Sequence, residues 1–259
     1  FGTILHNAMQ ILYEPLLSAQ STAEAIATIT TDQIERAVDQ AINDNFLHRK
    51  NATIDDYGGN ILLVRDIISR YIGSGVLPYD AAHPDFRVES LEHEVSTPFE
   101  FESKGEKKRV LFKGTADRID PLDSGIVRVV DYKTGASHLM FEGVENLFEG
   151  TSKQRQSNII QTLLYSMMIT RSEGRAVVPA LYYVRDLGRE DYSPQLVEVV
   201  GSGKNKSLQT VDNYAAYAEE FERHLAATLG EIFDFDRPFT QCDDIEVCKY
   251  CDYADICRR

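Results

Sequence analysis

Leu5, Ala8, Met9, Leu12 and Leu16 recur at helical spacing over residues 1–19, which predicts an opening helix that Pro15 kinks or ends early. A second helical stretch is expected over 22–47, broken near Thr30-Thr31-Asp32, where Thr31 or Asp32 would cap a new start. A third covers about 57–72, and Gly73, Gly75 and Pro78 are expected to stop it. Beyond residue 84 the period falls to two. Phe86, Val88, Leu91, Val95, Phe99 and Phe101 alternate with Glu92, Glu94 and Glu100, the pattern of half-buried strands. Lys104-Gly105-Glu106-Lys107 and Pro121-Leu122-Asp123-Ser124-Gly125 read as turns, so that three antiparallel strands end in the β-branched run 126–133.

Residues 134–153 read as loop. Ile160, Leu163, Leu164, Met167 and Met168 mark an amphipathic helix over 154–170. Strands are expected at 177–184 and 195–200, then a Gly-Ser-Gly-Lys-Asn-Lys loop at 201–206. A last helix over 210–229 carries Tyr214, Ala218, Phe221 and Leu225 on one face. The predicted order is helix, three strands, helix, strand: an α/β fold with additional N-terminal and C-terminal helices.

With 43% hydrophobic and 26% charged residues the chain has enough apolar content to fold, well away from disorder. The balance of 27 Lys and Arg against 41 Asp and Glu, a net charge of −14, argues against gripping nucleic acid through a broad basic face. No run approaches the roughly 20 apolar residues that span a bilayer, so no membrane role is expected. The start Phe1-Gly2-Thr3-Ile4-Leu5-His6 has neither an initiator Met nor the regions of a signal peptide, and the chain is expected to be a piece of a longer protein. All four cysteines lie from residue 242 onward, a cluster that suggests a reducing, cytoplasmic setting.

Candidate chemistry centres on residues 114–135. The two-residue strand period puts Asp131 and Lys133 on one face, and closure of the hairpin at 121–125 brings Asp117 beside Asp131. Two adjacent carboxylates repel unless a cation offsets them. A hard divalent ion, Mg²⁺ or Mn²⁺, is held by such a pair together with substrate phosphate, and a lysine beside it can stabilise charge on phosphorus. The arrangement suits phosphodiester hydrolysis. The plainer alternative is that Asp120, Asp123 and Asp131 are turn or strand-end acids and Lys133 makes a surface ion pair worth about 0–1 kcal/mol. Arg118 and Asp120 are expected to form a local pair, and the sequence does not choose between Glu92 and Glu94 as a further acid near the site.

Gly114-Thr115-Ala116-Asp117-Arg118-Ile119-Asp120 followed by Val130-Asp131-Tyr132-Lys133-Thr134-Gly135 resembles the PD-(D/E)XK nuclease superfamily. More narrowly it is similar to the RecB/AddB-type nuclease domain of bacterial helicase-nucleases. The resemblance implies a restriction-endonuclease-like core and makes Asp117 and Asp131 metal-binding carboxylates and Lys133 the catalytic lysine. His6, in Gly2-Thr3-Ile4-Leu5-His6, matches a Gly-x-x-x-His helix that adds an imidazole to the metal site. Gln161-Thr162-Leu163-Leu164-Tyr165 matches a Gln-x-x-x-Tyr motif bordering the active site, where Gln161 and Tyr165 help position DNA or the lysine.

Cys242, Cys248, Cys251 and Cys257 are separated by five, two and five residues, a count that suits tetrahedral zinc or an iron–sulfur cluster. The last three resemble the ending that closes an iron–sulfur cluster in AddB-type nucleases, although there the fourth cysteine lies far upstream. The expected organisation is a nuclease domain over 1–236 and a Cys-rich tail over 237–259 packing on it. The expected activity is Mg²⁺-dependent DNA cleavage, as an exonuclease in double-strand break repair. The partners are DNA and helicase domains, in the same chain or a partner subunit. Two rival readings stay open: a nuclease fold that binds DNA or a partner without cutting, and an unrelated α/β domain with a zinc-type tail.

Overall fold

The computed structural model describes residues 1–18, 22–49, 52–83, 86–122, 125–149, 156–201, 203–238, 240–241, 245–249 and 251–259. Five helices come first: α1 Gly2–Tyr13, α2 Thr22–Ala27, α3 Thr31–Ile42, α4 Gly59–Tyr71 and α5 Leu77–Ala81. Helix α1 ends where Pro15 removes an amide, and the chain goes on as a 3₁₀ segment, Glu14–Ser18. The cap of α3 is Thr30, one residue earlier than expected. Its hydroxyl accepts the Gln33 amide while the Gln33 side chain takes the Thr30 amide, a reciprocal capping box.

Gly73, Gly75 and Pro78 do not stop the third helix. After α4 the backbone widens into a π turn, Ile72–Val76, and continues as α5. A Cβ on Gly73 would stand 3.3 Å from Ile34 Cδ1 and one on Gly75 3.2 Å from the Val184 carbonyl, so these glycines allow close packing. Pro78 lies in the first turn of α5, directly after the π turn.

The hairpin strands are β1 Ser90–Ser103 and β2 Glu106–Pro121, joined by Lys104 and Gly105, both at positive φ as a two-residue hairpin turn demands. Strand β3, Val127–Lys133, pairs antiparallel with β2. Phe86 and Val88 are buried but precede the strand. The stretch expected as loop contains a short strand, β4 Met140–Phe141, and a helix, α6 Val144–Glu149. The long helix α7, Ser157–Glu173, then crosses to β5, Val177–Tyr183, which lies parallel to β3. The main sheet has the order β1-β2-β3-β5.

The strand expected at 195–200 is β6, Val197–Val200, and it joins a second sheet, β4-β6-β7, with β7 at Ser207–Thr210. The final long helix α8 therefore starts late, at Ala218–Ile232. Two short helices follow, α9 Ile245–Cys248 and α10 Ala254–Cys257. Among the described residues no helix is long and apolar enough to cross a membrane.

The main sheet is covered on both faces. Val130, Tyr132, Ala180 and Tyr182 pack with α1 to α5, whereas Val127, Val129, Leu181 and Tyr183 pack with α7 and α8. Every residue of β5 is buried, which explains its unbroken apolar run. Its outer edge is closed by the 192–195 segment, where Tyr192 Oη accepts from the Tyr183 amide at 3.0 Å and donates to the Leu181 carbonyl at 2.8 Å. On α7 the most deeply buried apolar residues include Ile159, Leu163, Met167 and Met168. Ile160 and Leu164 are only half-buried at its flank.

Candidate active site

The site forms where β2 parts from β3. Their ladder runs from Pro121↔Val127 to Arg118↔Val130 and stops there, although β3 continues beside β5 to Lys133. Extending that register sets Asp117 opposite Asp131. The Tyr132 amide is taken by the Asp117 carboxylate, Oδ2 at 2.8 Å, instead of by a strand carbonyl.

Both hairpin strands change face at this point. Val110, Phe112 and Ala116 point to the α7 side, yet Arg118 points to the opposite side, among Tyr13, Phe86, Tyr132 and Tyr182. Glu92, across from Asp117 in the β1–β2 register, has φ +46°, a conformation that costs a residue with a Cβ about 1–2 kcal/mol. This local break turns Asp117 and Glu92 out of the regular alternation. Burial and the Asp117 charge push the Glu92 carboxyl up, with His6 opposing. The structure thereby separates the two acids the sequence left tied: Glu92 stands at the carboxylate site, and Glu94 is exposed further along the hairpin.

Helix α1 brings His6 to the same point. Its Nδ1 lies 3.2 Å from Asp117 Oδ1, and its Nε2 lies 3.0 Å from the Tyr132 carbonyl. Two acceptors on one ring suit the imidazolium. Burial works against that charge, but the Asp117 hydrogen bond and charge, the Tyr132 carbonyl and Asp131 outweigh it and raise the pKa above 6.5. Tyr132 is thus a bracket, its N–H holding Asp117 and its C=O holding His6.

Asp131 is 2% exposed. Burial, then the charge of Asp117, push its carboxyl up to about 6, although Lys133 pulls the other way. Lys133 Nζ lies 2.5 Å from Asp131 Oδ2 and donates to Gln161 Oε1 at 2.9 Å, and Gln161 Nε2 donates to Tyr165 Oη at 3.1 Å. The i, i+4 pair on α7 therefore reaches the lysine as a chain of two hydrogen bonds. Asp117, Asp131, Lys133, His6, Gln161 and Tyr165 are all brought together. Cys242 lies outside the described residues, and Cys248, Cys251 and Cys257 sit in the tail rather than at this centre.

The donor chemistry fits a hard divalent cation. Two facing carboxylates offer hard oxygen ligands, with His6 and Lys133 as their present partners, and Asp131 Oδ2 is buried without a well-angled hydrogen bond. Among the described residues no three His, Cys, Asp or Glu side chains are grouped closely enough to hold a metal by themselves, so water and substrate oxygens would complete its shell.

Arg118 and Asp120 do pair, Nε to Oδ1 at 2.9 Å, but within a wider buried network. Arg118 Nη1 also meets Asp80 Oδ2 at 2.7 Å and donates to Tyr132 Oη at 2.8 Å, while Arg128 holds Asp120 from the other side at 2.8 Å. Asp80 further accepts from Tyr13 Oη at 2.6 Å and Tyr182 Oη at 3.0 Å. Nothing in the sequence near Asp80 signals this partnership, which spans 38 residues to Arg118.

Gly114 is the other residue sequence reasoning passed over as chemistry. A Cβ there would fall 2.7 Å from Tyr165 Cε1, so the ring lies directly on the backbone of β2. Gly114→Ala is expected to displace Tyr165, loosen Gln161 and Lys133, and lower turnover about tenfold with little loss of thermal stability. Single-turnover kinetics on folded protein check it, and adding Tyr165→Ala should relieve the clash without restoring the rate.

None of the curated proteins searched matches the chain. Among solved structures it is similar to SSO0001, with 15% identity, a TM-score of 0.30, and coverage of 98% of this chain and 82% of that one. A proposed exonuclease from Eubacterium rectale is similar at 14% identity and a TM-score of 0.29, covering 90% of this chain and 81% of that one. The family model of the PD-(D/E)XK nuclease superfamily matches residues 1–258, and the chain belongs to that superfamily.

Proposed function

We propose that this chain is a divalent-metal-dependent deoxyribonuclease domain, an exonuclease of RecB/AddB type working beside helicase domains in double-strand break repair. The observation that carries the activity is the convergence of Asp117, Asp131 and Lys133 at the fork between β2 and β3. Asp117 and Asp131, with His6 and Glu92 at their margin, would hold Mg²⁺ or Mn²⁺. When bound, the ion supplies a water of lowered pKa and a positive charge beside the scissile phosphate.

The chain's own groups do the rest. Lys133, steered by Gln161, presents its ammonium where charge grows on the phosphate oxygens. Tyr165 holds Gln161 in register. Tyr132 fixes the spacing between His6 and Asp117 through its peptide group. The acidic surface is compatible with a nucleic-acid strand delivered along a narrow path, not with wide electrostatic capture.

The test is cleavage of end-labelled single- and double-stranded DNA with Mg²⁺ or Mn²⁺. Metal-dependent cutting by the wild type supports the reading. Absence of both cutting and metal binding at the acidic site would overturn it in favour of a scaffold. Metal affinity should also rise with pH, because Asp131, with its pKa near 6, and His6, raised above 6.5, must release protons to become ligands. Binding is expected to be weak below pH 6 and to strengthen through about pH 7. Calorimetric titration of Mn²⁺ at several pH values checks this, and an affinity flat across that range would contradict it.

The tail over 237–259 is proposed as a Cys-rich element packing on the nuclease domain over 1–236. Among the described residues Cys248, Cys251 and Cys257 do not come together as a metal-holding group, so the proposal of an iron–sulfur cluster or zinc with Cys242 rests on spacing alone. Elemental analysis for iron and zinc decides it.

A further inference from the structure

Strand β2 alternates over its outer half. Lys107, Arg109, Leu111 and Lys113 are exposed, whereas Val110 and Phe112 face the core. Beyond Lys113 the strand becomes half-buried at Thr115 and Asp117, so three exposed cations lie along the strand that ends at the carboxylate site. Their cross-strand neighbours on β1 differ. Glu102 faces Lys107 and Glu100 faces Arg109, but Ser96 faces Lys113. Directly opposed charges on a sheet interact, so the first two cations are partly offset and Lys113 is not.

Lys113 also lines a cleft of about 490 Å³ with Glu94, Val95, Ser96, Gly114 and Thr115. The cleft lies close along both strands to the active centre, since Thr115 is two residues from Asp117 and Glu94 two residues from Glu92. Gly114, which lines it, bears the Tyr165 ring on the other, α7-facing side of the strand. In a chain of net charge −14, a cation on an open polar cleft a few residues along the strand from the reacting groups marks where a polyanion can approach.

We infer that this cleft is the track of the substrate strand and that Lys113 grips a backbone phosphate beside the one being cut. At about 3.3 Å per residue, Lys113 stands roughly 13 Å along β2 from Asp117, within a few nucleotides of the scissile position. The contact is to phosphate, so it positions the strand without reading its bases. Ser96 and Thr115 add hydroxyl donors at the cleft wall. The inference rests on the nuclease reading and adds the path by which the strand enters.

The test measures binding of a short fluorescent single-stranded DNA, and of its duplex, as a function of salt for wild type, Lys113→Ala, Lys113→Arg and Lys107→Ala, together with kcat and KM. Lys113→Ala should weaken binding on the order of tenfold, raise KM with kcat little changed, and reduce the slope of log affinity against log salt by about 0.7. Lys113→Arg should restore most of the affinity, and Lys107→Ala should lose much less than Lys113→Ala. If the wild type cuts DNA but Lys113→Ala keeps its KM and salt slope, the track lies elsewhere and the nuclease reading stands. If the wild type neither binds nor cuts DNA, both fall together.

Discussion

Lys133→Ala is expected to reduce metal-dependent cleavage by about 10²–10³-fold while leaving the protein folded and able to bind Mn²⁺. The magnitude is that of removing one group aimed at charge developing in the transition state. Lys133 is 18% exposed, and its removal opens no core cavity. Its ammonium also competes with a metal for Asp131, so the variant should bind Mn²⁺ at least as tightly as the wild type. Lys133→Ala therefore differs in kind from Asp117→Ala, which should lose both cutting and metal affinity. Rates from single-turnover assays set beside calorimetric affinities check the pair. A Lys133→Ala protein that cuts at the wild-type rate would remove the lysine from the chemistry.

Arg118→Met should give the largest loss of stability, about 3–5 kcal/mol by urea denaturation. Arg118 has no exposed surface. It joins Asp80 and Asp120 beneath the site, and its guanidinium lies 4.8 Å from the Tyr182 ring centroid and 5.0 Å from that of Phe86. Burial disfavours its charge, but Asp120 and Asp80 more than offset this and hold its pKa well above the ordinary value. Methionine fills much of the space yet leaves Asp80 without its cation, the costly half of a broken buried pair. Lysine is no substitute, because one ammonium cannot bridge two carboxylates and Tyr132 Oη in the plane a guanidinium offers. The loss should reach the active centre too. With Tyr132 Oη released, the peptide that spaces His6 from Asp117 loosens, and Mn²⁺ affinity should fall with stability. A loss below about 1 kcal/mol would show that the network is dispensable.

Much of the site was legible in the chain because its logic is local. Asp131 and Lys133 share a face by strand period, the antiparallel pairing of β2 with β3 brings Asp117 back toward them, and Gln161 and Tyr165 share a helix face by i, i+4 spacing. The three antiparallel strands, the long helix after them and the strand that follows were readable from period and turn residues for the same reason; its parallel pairing was not. So was the early end of the first helix at Pro15.

Other features depended on partners distant in sequence. Period alone placed Glu92 and Glu94 on the same footing, and only the left-handed turn at Glu92, where both hairpin strands change face, separated them. Gly73 and Gly75 read as stops, yet became close-packing points once Ile34 and the Val184 carbonyl lay against them. The segment expected as loop became β4 and α6 because β6 offered it a strand to pair with and α8 a helix to pack on. Asp80, Arg118 and Tyr132 carry no local mark of their association, since charge burial becomes affordable only when three segments exclude water together. By itself the sequence determined which residues could do the chemistry and which periodic elements carry them. Only the tertiary structure decided how β2 parts from β3 to expose the carboxylates, because that fork depends on a side chain replacing a strand carbonyl at the Tyr132 amide.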